Sequence, residues 1–208
     1  MIGGLHAMLG RFDQGRRCYR EAGRLNIDLG RTIRDAGMTQ VGAAIELLAG
    51  DARAAEAEAR RGSDVLERAG ETEYRSSVVA WIGRALAAQG RLEPARATAE
   101  QALELGADDD EVTNTLAHGV LTDVHARLGD AAESDRHAAR VREVLEQTDE
   151  PIAHADALAD LAVAAIALGR DASALRAEAQ AVYEAKGSVA GVELLNRRCT
   201  TTTPTRRS

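Results

Sequence analysis

The sequence predicts an all-α protein, a solenoid of about five helix–turn–helix repeats with a period of about 40 residues. Three observations predict it. A glycine followed by Arg or Asp recurs at a nearly constant interval. Apolar residues between these glycines recur every three or four positions. Hydrophobic residues make up 45% of the chain and aromatic residues only 2%, a composition that favours close-packed helices over strands.

The recurring glycines define the repeats. They are Gly10, Gly50, Gly90, Gly129 and Gly169, spaced 40, 40, 39 and 40 residues apart. A glycine just past a helix supplies the left-handed backbone conformation that ends it. We therefore expect each of these glycines to join the two helices of one repeat. A small residue stands five positions after each glycine, where two antiparallel helices approach most closely: Gly15, Ala55, Ala95, Ser134 and Ala174.

Apolar spacing supports helices on both sides of these turns. Val112, Leu116, Val120 and Val124 precede Gly129 at steps of four, which puts them on one face of a helix. The segment before each turn glycine is therefore expected to be the first helix of a repeat.

Glycines and prolines elsewhere agree with this organisation. Gly42, Gly62 and Gly83 lie inside helical segments, where glycine costs about 1 kcal/mol relative to alanine. They therefore predict close contacts between helices. Pro94 and Pro151 stand where a first helical turn is expected, and the missing N–H of proline costs nothing there.

This pattern resembles the tetratricopeptide repeat, with a tight glycine turn and one helix pair per repeat. Three strings are similar to the C-terminal repeat region of large bacterial ATPase regulators of the adenylate/guanylate cyclase or LuxR type. They are Met8 to Asp13, Thr148-Asp149 followed by Ala155 to Ala162, and Val182 to Ser188. The resemblance runs from about Leu5 to Leu195. It implies a right-handed α-solenoid, preceded in such regulators by a nucleotide-binding domain.

Two segments are expected. Residues 1–199 form the repeat domain, whose first repeat is incomplete because Met1 to Leu9 supply about half of a helix. Residues 200–208 are polar, have no apolar period and are expected to be disordered. We expect the chain to be a fragment of a larger regulator or a truncated gene product.

The sequence offers no catalytic motif. A phosphate-binding loop is absent, because Lys186-Gly187-Ser188 lacks the upstream glycine and the preceding strand. The ATPase or cyclase activity of the regulators therefore does not carry over to this chain. We predict no enzyme, no catalytic residue and no cofactor.

The histidines and acidic runs predict no metal site. His118 and His125 are seven residues apart, which puts about 10 Å of helix axis between them. That is too far for one ion without a third element. The run from Asp108 to Glu111 lacks the calcium-loop spacing and is expected to cap a helix.

Charge and composition restrict partners and location. The net charge of −7 argues against a nucleic-acid or anionic-membrane surface. The isolated Cys18 and Cys199 and the lack of a signal peptide favour the cytoplasm. The arginine pairs are expected to lie on solvated helix faces: Arg16-Arg17, Arg60-Arg61 and Arg197-Arg198.

Candidate binding residues follow from the resemblance, which implies that the first helix of each repeat lines a concave groove. They are Gln40, Trp81, Arg84, Asp123, Arg127, Asp156 and Asp160. Trp81, flanked by Arg84, either anchors a peptide or fills the core between repeats. Asp156 and Asp160 either accept a basic ligand or are solvated.

The expected function is a protein-interaction or regulatory scaffold. Its groove would bind a peptide, a protein partner or a sister domain of a parent regulator. One alternative is a homodimerisation module, in which a second copy completes the first repeat. Another is the C-terminal piece of an ATP-binding regulator with no catalysis of its own. An enzyme, supported only by analogy, and a non-functional gene remnant are the remaining alternatives.

Overall fold

The computed structural model describes residues 2–146 and 150–202, and within these ranges the chain forms twelve α-helices and no β-strand. In chain order they are α1 (Ile2–Met8), α2 (Phe12–Asp28), α3 (Thr32–Gly37), α4 (Thr39–Ala49), α5 (Ala52–Arg68), α6 (Glu73–Ala88), α7 (Leu92–Leu105), α8 (Glu111–Leu128), α9 (Ala131–Leu145), α10 (Pro151–Ala167), α11 (Ser173–Ala185) and α12 (Val189–Thr201). The protein is therefore all-α, as the sequence predicts. The string Thr148-Asp149 lies outside the described residues.

The five turn glycines lie between helices, and each has a φ between 67° and 88°. Gly50 has a φ of 88°, in the left-handed region that residues with a Cβ avoid, and it ends α4. A second set of glycines with positive φ joins one hairpin to the next: Gly30, Gly70 and Gly187. Gly30 and Gly70 are also 40 residues apart, and each lies 20 residues after a turn glycine.

The helices form an inner and an outer layer. Within the inner layer, α1, α4, α6, α8, α10 and α12 each contact the next helix in this order. The outer layer consists of α2, α5, α7, α9 and α11, while the short α3 precedes α4. Helix α12 also contacts α1 and α4, so the inner layer closes on itself.

The two layers differ in how they are buried. Inner helices are surrounded on most sides, and in α8 every residue from Leu116 to Ala126 is buried. Outer helices bury a narrow strip of small side chains, such as Ala55 and Ala59 of α5. The core therefore lies between the layers and within the inner one. No described helix has the length and hydropathy needed to cross a membrane.

The small residue after each turn glycine is buried in four repeats: Gly15, Ala55, Ala95 and Ser134. The prediction is wrong for Ala174, which is exposed. Helix α11 starts four residues after Gly169, whereas α7 starts two residues after Gly90. This delay changes the register, and Leu175 packs against the core instead.

The predicted close contacts at glycines inside helices are confirmed. A Cβ on Gly62 would lie 2.5 Å from the Ala36 carbonyl oxygen and 2.0 Å from Thr39 Oγ1. A Cβ on Gly42 would lie 2.7 Å from the nearest atom of another helix. At Gly83 the nearest atoms would be at 3.4 Å, an ordinary contact distance. Gly62 thus permits the closest approach of the three.

The predicted helix starts are also confirmed. Asp110 caps α8, accepting a hydrogen bond from the Thr113 N–H at 3.0 Å. Pro151 is the first residue of α10, and Pro94 lies in the first turn of α7.

The end of the last helix differs from the prediction. Helix α12 continues to Thr201, two residues beyond residue 199, the expected end of the repeat domain. The hydroxyls of Thr201 and Thr202 donate to the carbonyls of Arg197 and Arg198 at 2.9 and 2.8 Å. Both hydroxyls are thus satisfied by carbonyl groups one turn earlier. Residues 203–208 of the predicted tail lie outside the described residues.

Candidate functional site

The inner helices surround a cavity of about 700 Å³. Helices α4, α6, α8, α10 and α12 all contribute to its wall. Six of the seven candidate residues line it: Trp81, Arg84, Asp123, Arg127, Asp156 and Asp160. Side chains predicted from separate repeats thus meet around one space, which we call the central cavity.

Gln40 is the exception, and helix register explains why. Trp81 and Asp160 lie nine residues before their turn glycines, and Arg84 and Asp123 lie six residues before theirs. Gln40 lies ten residues before Gly50, so it points about 100° away from the nine-residue position. The α4 residues that line the central cavity are Ala44, Leu47 and Leu48.

Asp160 is the centre of a buried ion cluster. Its residue exposure is 2%. One carboxylate oxygen pairs with Arg84 of α6, and the other lies 2.7 Å from Arg198 Nη1 of α12. Burial acts to lower the pKa of Arg198, but the carboxylates of Asp160 and Asp123 outweigh it and hold that pKa above its ordinary value. Asp160 therefore links three inner helices, and the alternative that it is solvated is wrong.

Asp123 is buried and only partly satisfied. Its Oδ2 lies 3.4 Å from Arg127 Nη1, and that nitrogen also donates to the Ala87 carbonyl at 2.8 Å. Its Oδ1 is buried and has no hydrogen-bond partner within residues 2–146 and 150–202. Burial raises the pKa of Asp123. Across the described chain, Arg84 Nε is likewise buried without an acceptor.

Asp156 and Tyr183 form a further polar pair. The Tyr183 hydroxyl donates to Asp156 Oδ1, which joins α11 to α10. Burial raises the pKa of Asp156, and burial together with the Asp156 carboxylate raises the pKa of Tyr183 well above its ordinary value. The partly buried Asp156 is therefore held by the fold and faces the central cavity.

Trp81 packs against the hydrophobic core and also lines the central cavity. The Arg84 guanidinium lies 5.7 Å from its ring centre, within the range of a cation–π contact. Since this is the chain's one tryptophan, its fluorescence reports directly on the cavity.

Two cavity residues were missed by the sequence analysis. Both Arg197 and Arg198 line the central cavity. Arg197 is exposed, as expected, and its Nη2 donates to the Leu48 carbonyl at 3.2 Å. The expectation of a solvated side chain is wrong for Arg198, which is partly buried and paired with Asp160. The sequence could have predicted an inner helix here, because a glycine turn at Gly187 ends one helix and starts α12 as the next inner helix. No pattern within α12 predicts that this helix packs against α4.

Other arginine pairs are also more than solvated charges. Arg16 bonds Glu46 of α4, with Nη2 2.6 Å from Oε2, and Arg61 bonds Asp35 of α3 at 3.1 Å. Both ion pairs therefore connect two different helices.

The fold and the site define an all-α protein of helical hairpins with a charged central cavity. No family model matches the chain, and no curated protein matches it in sequence. Among the solved structures that resemble it is the crystal structure of BtubC (BKLC) from P. vanneervenii. That likeness has a TM-score of 0.55 at 18% sequence identity, covering 98% of this chain and 95% of that chain. At this identity it supports the fold alone.

Proposed function

We propose that this chain is a tetratricopeptide-type binding module that holds a peptide segment of a protein partner in its central cavity. The observation that carries the proposal is a pair of unsatisfied polar atoms in the wall of that cavity. Asp123 Oδ1 lacks a donor and Arg84 Nε lacks an acceptor among the described residues.

A buried polar atom without a partner is costly. Leaving a charged group unsatisfied costs more than the 1–3 kcal/mol typical of a neutral one. Most such groups in folded proteins are satisfied, and the exceptions frequently have a functional reason. A ligand that donates to Asp123 and accepts from Arg84 would remove both penalties on binding.

A peptide segment matches the rest of the cavity wall. Peptide groups supply N–H donors and C=O acceptors side by side. The wall adds apolar surface from Leu47, Val120 and Val163, with Trp81 as an aromatic anchor. A volume of about 700 Å³ is within the usual range for a small ligand and fits a few residues of peptide.

The repeat pattern supports this type of module. The 40-residue period and the inner helices that line the cavity agree with a right-handed tetratricopeptide solenoid, whose ends here come into contact. In the regulators that the sequence resembles, the bound segment would belong to the preceding domains.

The experiment is a selection from a random-peptide display library on the immobilised chain, followed by isothermal titration of an enriched synthetic peptide. We expect Asp123→Asn to weaken that peptide about 10-fold or more, because a hydrogen bond to a charged group contributes about 1.5–3 kcal/mol. Asparagine keeps the shape of the side chain and an oxygen acceptor for Arg127, so the variant should remain folded, which a thermal melt checks.

Asp108→Asn is the matched control, because Asp108 is exposed in the loop between α7 and α8. It should leave peptide affinity unchanged. Failure to enrich any peptide, or equal affinity for wild type and Asp123→Asn, contradicts the proposal.

Self-association is a second candidate, favoured by exposed apolar residues in the first hairpin. Six large side chains there are 47–66% exposed: Ile2, Leu5, Leu9, Leu25, Ile27 and Leu29. Single exposed apolar residues are ordinary, but this many on one helix pair favour an interaction surface.

We expect sedimentation equilibrium to give a mass that rises with concentration towards twice the 22.1 kDa of one chain. Leu5→Glu with Leu29→Glu should keep the mass at one chain, since four unpaired carboxylates would face each other across the dimer. Val112→Glu, at a residue 59% exposed on α8, is the control and should not change association. A constant monomer mass for the wild type rejects this candidate.

A further inference from the structure

Three of the five histidines meet in one cluster between α8 and α9, away from the central cavity. His118 and His125 lie two turns apart on α8. His137 of α9 supplies the third element that the sequence spacing lacks: its Nδ1 is 2.9 Å from His118 Nδ1. Its ring also stacks on His125, with centres 5.5 Å apart.

Glu133 brings a carboxylate to the same place. It lies one turn before His137 on α9, so both side chains share a helix face. One potential ligand atom from each of His125, Glu133 and His137 can be chosen so that all three lie within 4.8 Å of one another. Helices α8 and α9 thus bring two imidazoles and a carboxylate close together.

We propose that His125, Glu133 and His137 form a binding site for a divalent transition-metal ion of the Zn²⁺ type. Imidazole nitrogen and carboxylate oxygen are the ordinary ligands of such ions. Bonds of about 2.0–2.2 Å in a tetrahedral site separate neighbouring ligand atoms by about 3.3 Å. Side-chain rotation suffices to reach that spacing, because Glu133 and His137 are only partly buried. Three protein ligands leave a fourth position for water.

The surroundings of the ligands are those that such a site requires. A metal-bound histidine normally has its other ring nitrogen held by a second group, which fixes the ring orientation. The Asp130 carboxylate lies 3.7 Å from His125 Nδ1, close to but beyond hydrogen-bond distance. His118 holds His137 through Nδ1, which leaves His137 Nε2 for a metal. His118 is therefore a positioning residue.

One competing interaction involves Glu133. Its carboxylate pairs with Arg136, whose side chain is 68% exposed. An exposed pair of this kind contributes little, so a metal ion can displace it. Arg136→Ala should for this reason raise metal affinity slightly.

The test is binding of Co²⁺ and Zn²⁺ to the untagged chain after removal of metal with a chelator. We expect one Co²⁺ per chain with the visible absorption of a tetrahedral site, displaced by Zn²⁺ and accompanied by a rise in melting temperature. His137→Gln and His125→Gln should abolish that absorption. His118→Gln should reduce affinity by about 10–100-fold, as loss of an outer partner does.

His154→Gln is the matched control, since His154 lies on α10 outside the cluster, 3.9 Å from Glu178. It should bind Co²⁺ as the wild type does. Circular dichroism establishes that each variant is folded. A wild type that does not saturate with either metal, or folded His125→Gln and His137→Gln variants that bind as well as wild type, would overturn the proposal.

Discussion

Replacing Asp160 by alanine should lower the free energy of unfolding by about 3–5 kcal/mol, the range for breaking a buried ion pair. The side chain is 3% exposed and holds Arg84 on one oxygen and Arg198 on the other. Its removal leaves two partly buried guanidinium groups without their anion. Since these arginines come from α6 and α12, the change also removes the ionic link of α10 to both helices.

Chemical denaturation measures this loss, with Asp135→Ala as the control. Asp135 forms a comparable bidentate pair with Arg170, but its side chain is 56% exposed, so its loss should cost about 1 kcal/mol or less. Arg198→Met should cost less in the Asp160→Ala background than in the wild type, because their interaction is already lost. A loss at Asp160 no larger than at Asp135 would show that the cluster does not stabilise the fold.

The second large effect is expected at Gly62. Gly62→Ala should destabilise the protein by about 1–3 kcal/mol, since extra atoms in a packed contact force neighbours to shift. Thr39 is fully buried and its hydroxyl donates to the Ala36 carbonyl, so it has little room to move. The Ala36 carbonyl belongs to the backbone of α3 and would have to move with the helix. Gly62→Val should cost more.

Gly4→Ala is the control for Gly62→Ala, because a Cβ at Gly4 would meet no atom within 4 Å. It should stabilise by up to about 1 kcal/mol through helix propensity alone. Thermal melts of the two variants should therefore shift in opposite directions. A Gly62→Ala protein as stable as the wild type would mean that α5 and α3 can separate without cost.

Local rules explain most of what the sequence predicts correctly. The turn glycines follow from helix termination, which needs a left-handed residue at a known position. Once the turns are aligned, residues six and nine positions earlier share one inner face, so Trp81, Arg84, Asp123 and Asp160 meet in the central cavity. Gln40 lies one residue before the nine-residue position, so its side chain points away from that face.

The remaining features depend on contacts between distant segments. Arg198 reaches Asp160 only because α12 packs against α10. His137 completes the histidine cluster only because α9 packs along α8, which no spacing within one helix reveals. Asp156 and Asp160 look solvated as a pair one turn apart, but Asp160 is buried and Asp156 partly buried, because neighbouring helices pack on both sides of α10.

Titration of Trp81 emission with the enriched peptide shows whether the peptide binds in the central cavity. We expect a saturable change in emission that gives the same dissociation constant as isothermal titration, because Trp81 lines the central cavity. The change should weaken in Asp123→Asn to the same degree as the affinity does. Tight peptide binding that leaves Trp81 emission unaltered and is insensitive to Asp123→Asn would mean that the peptide binds elsewhere on the chain.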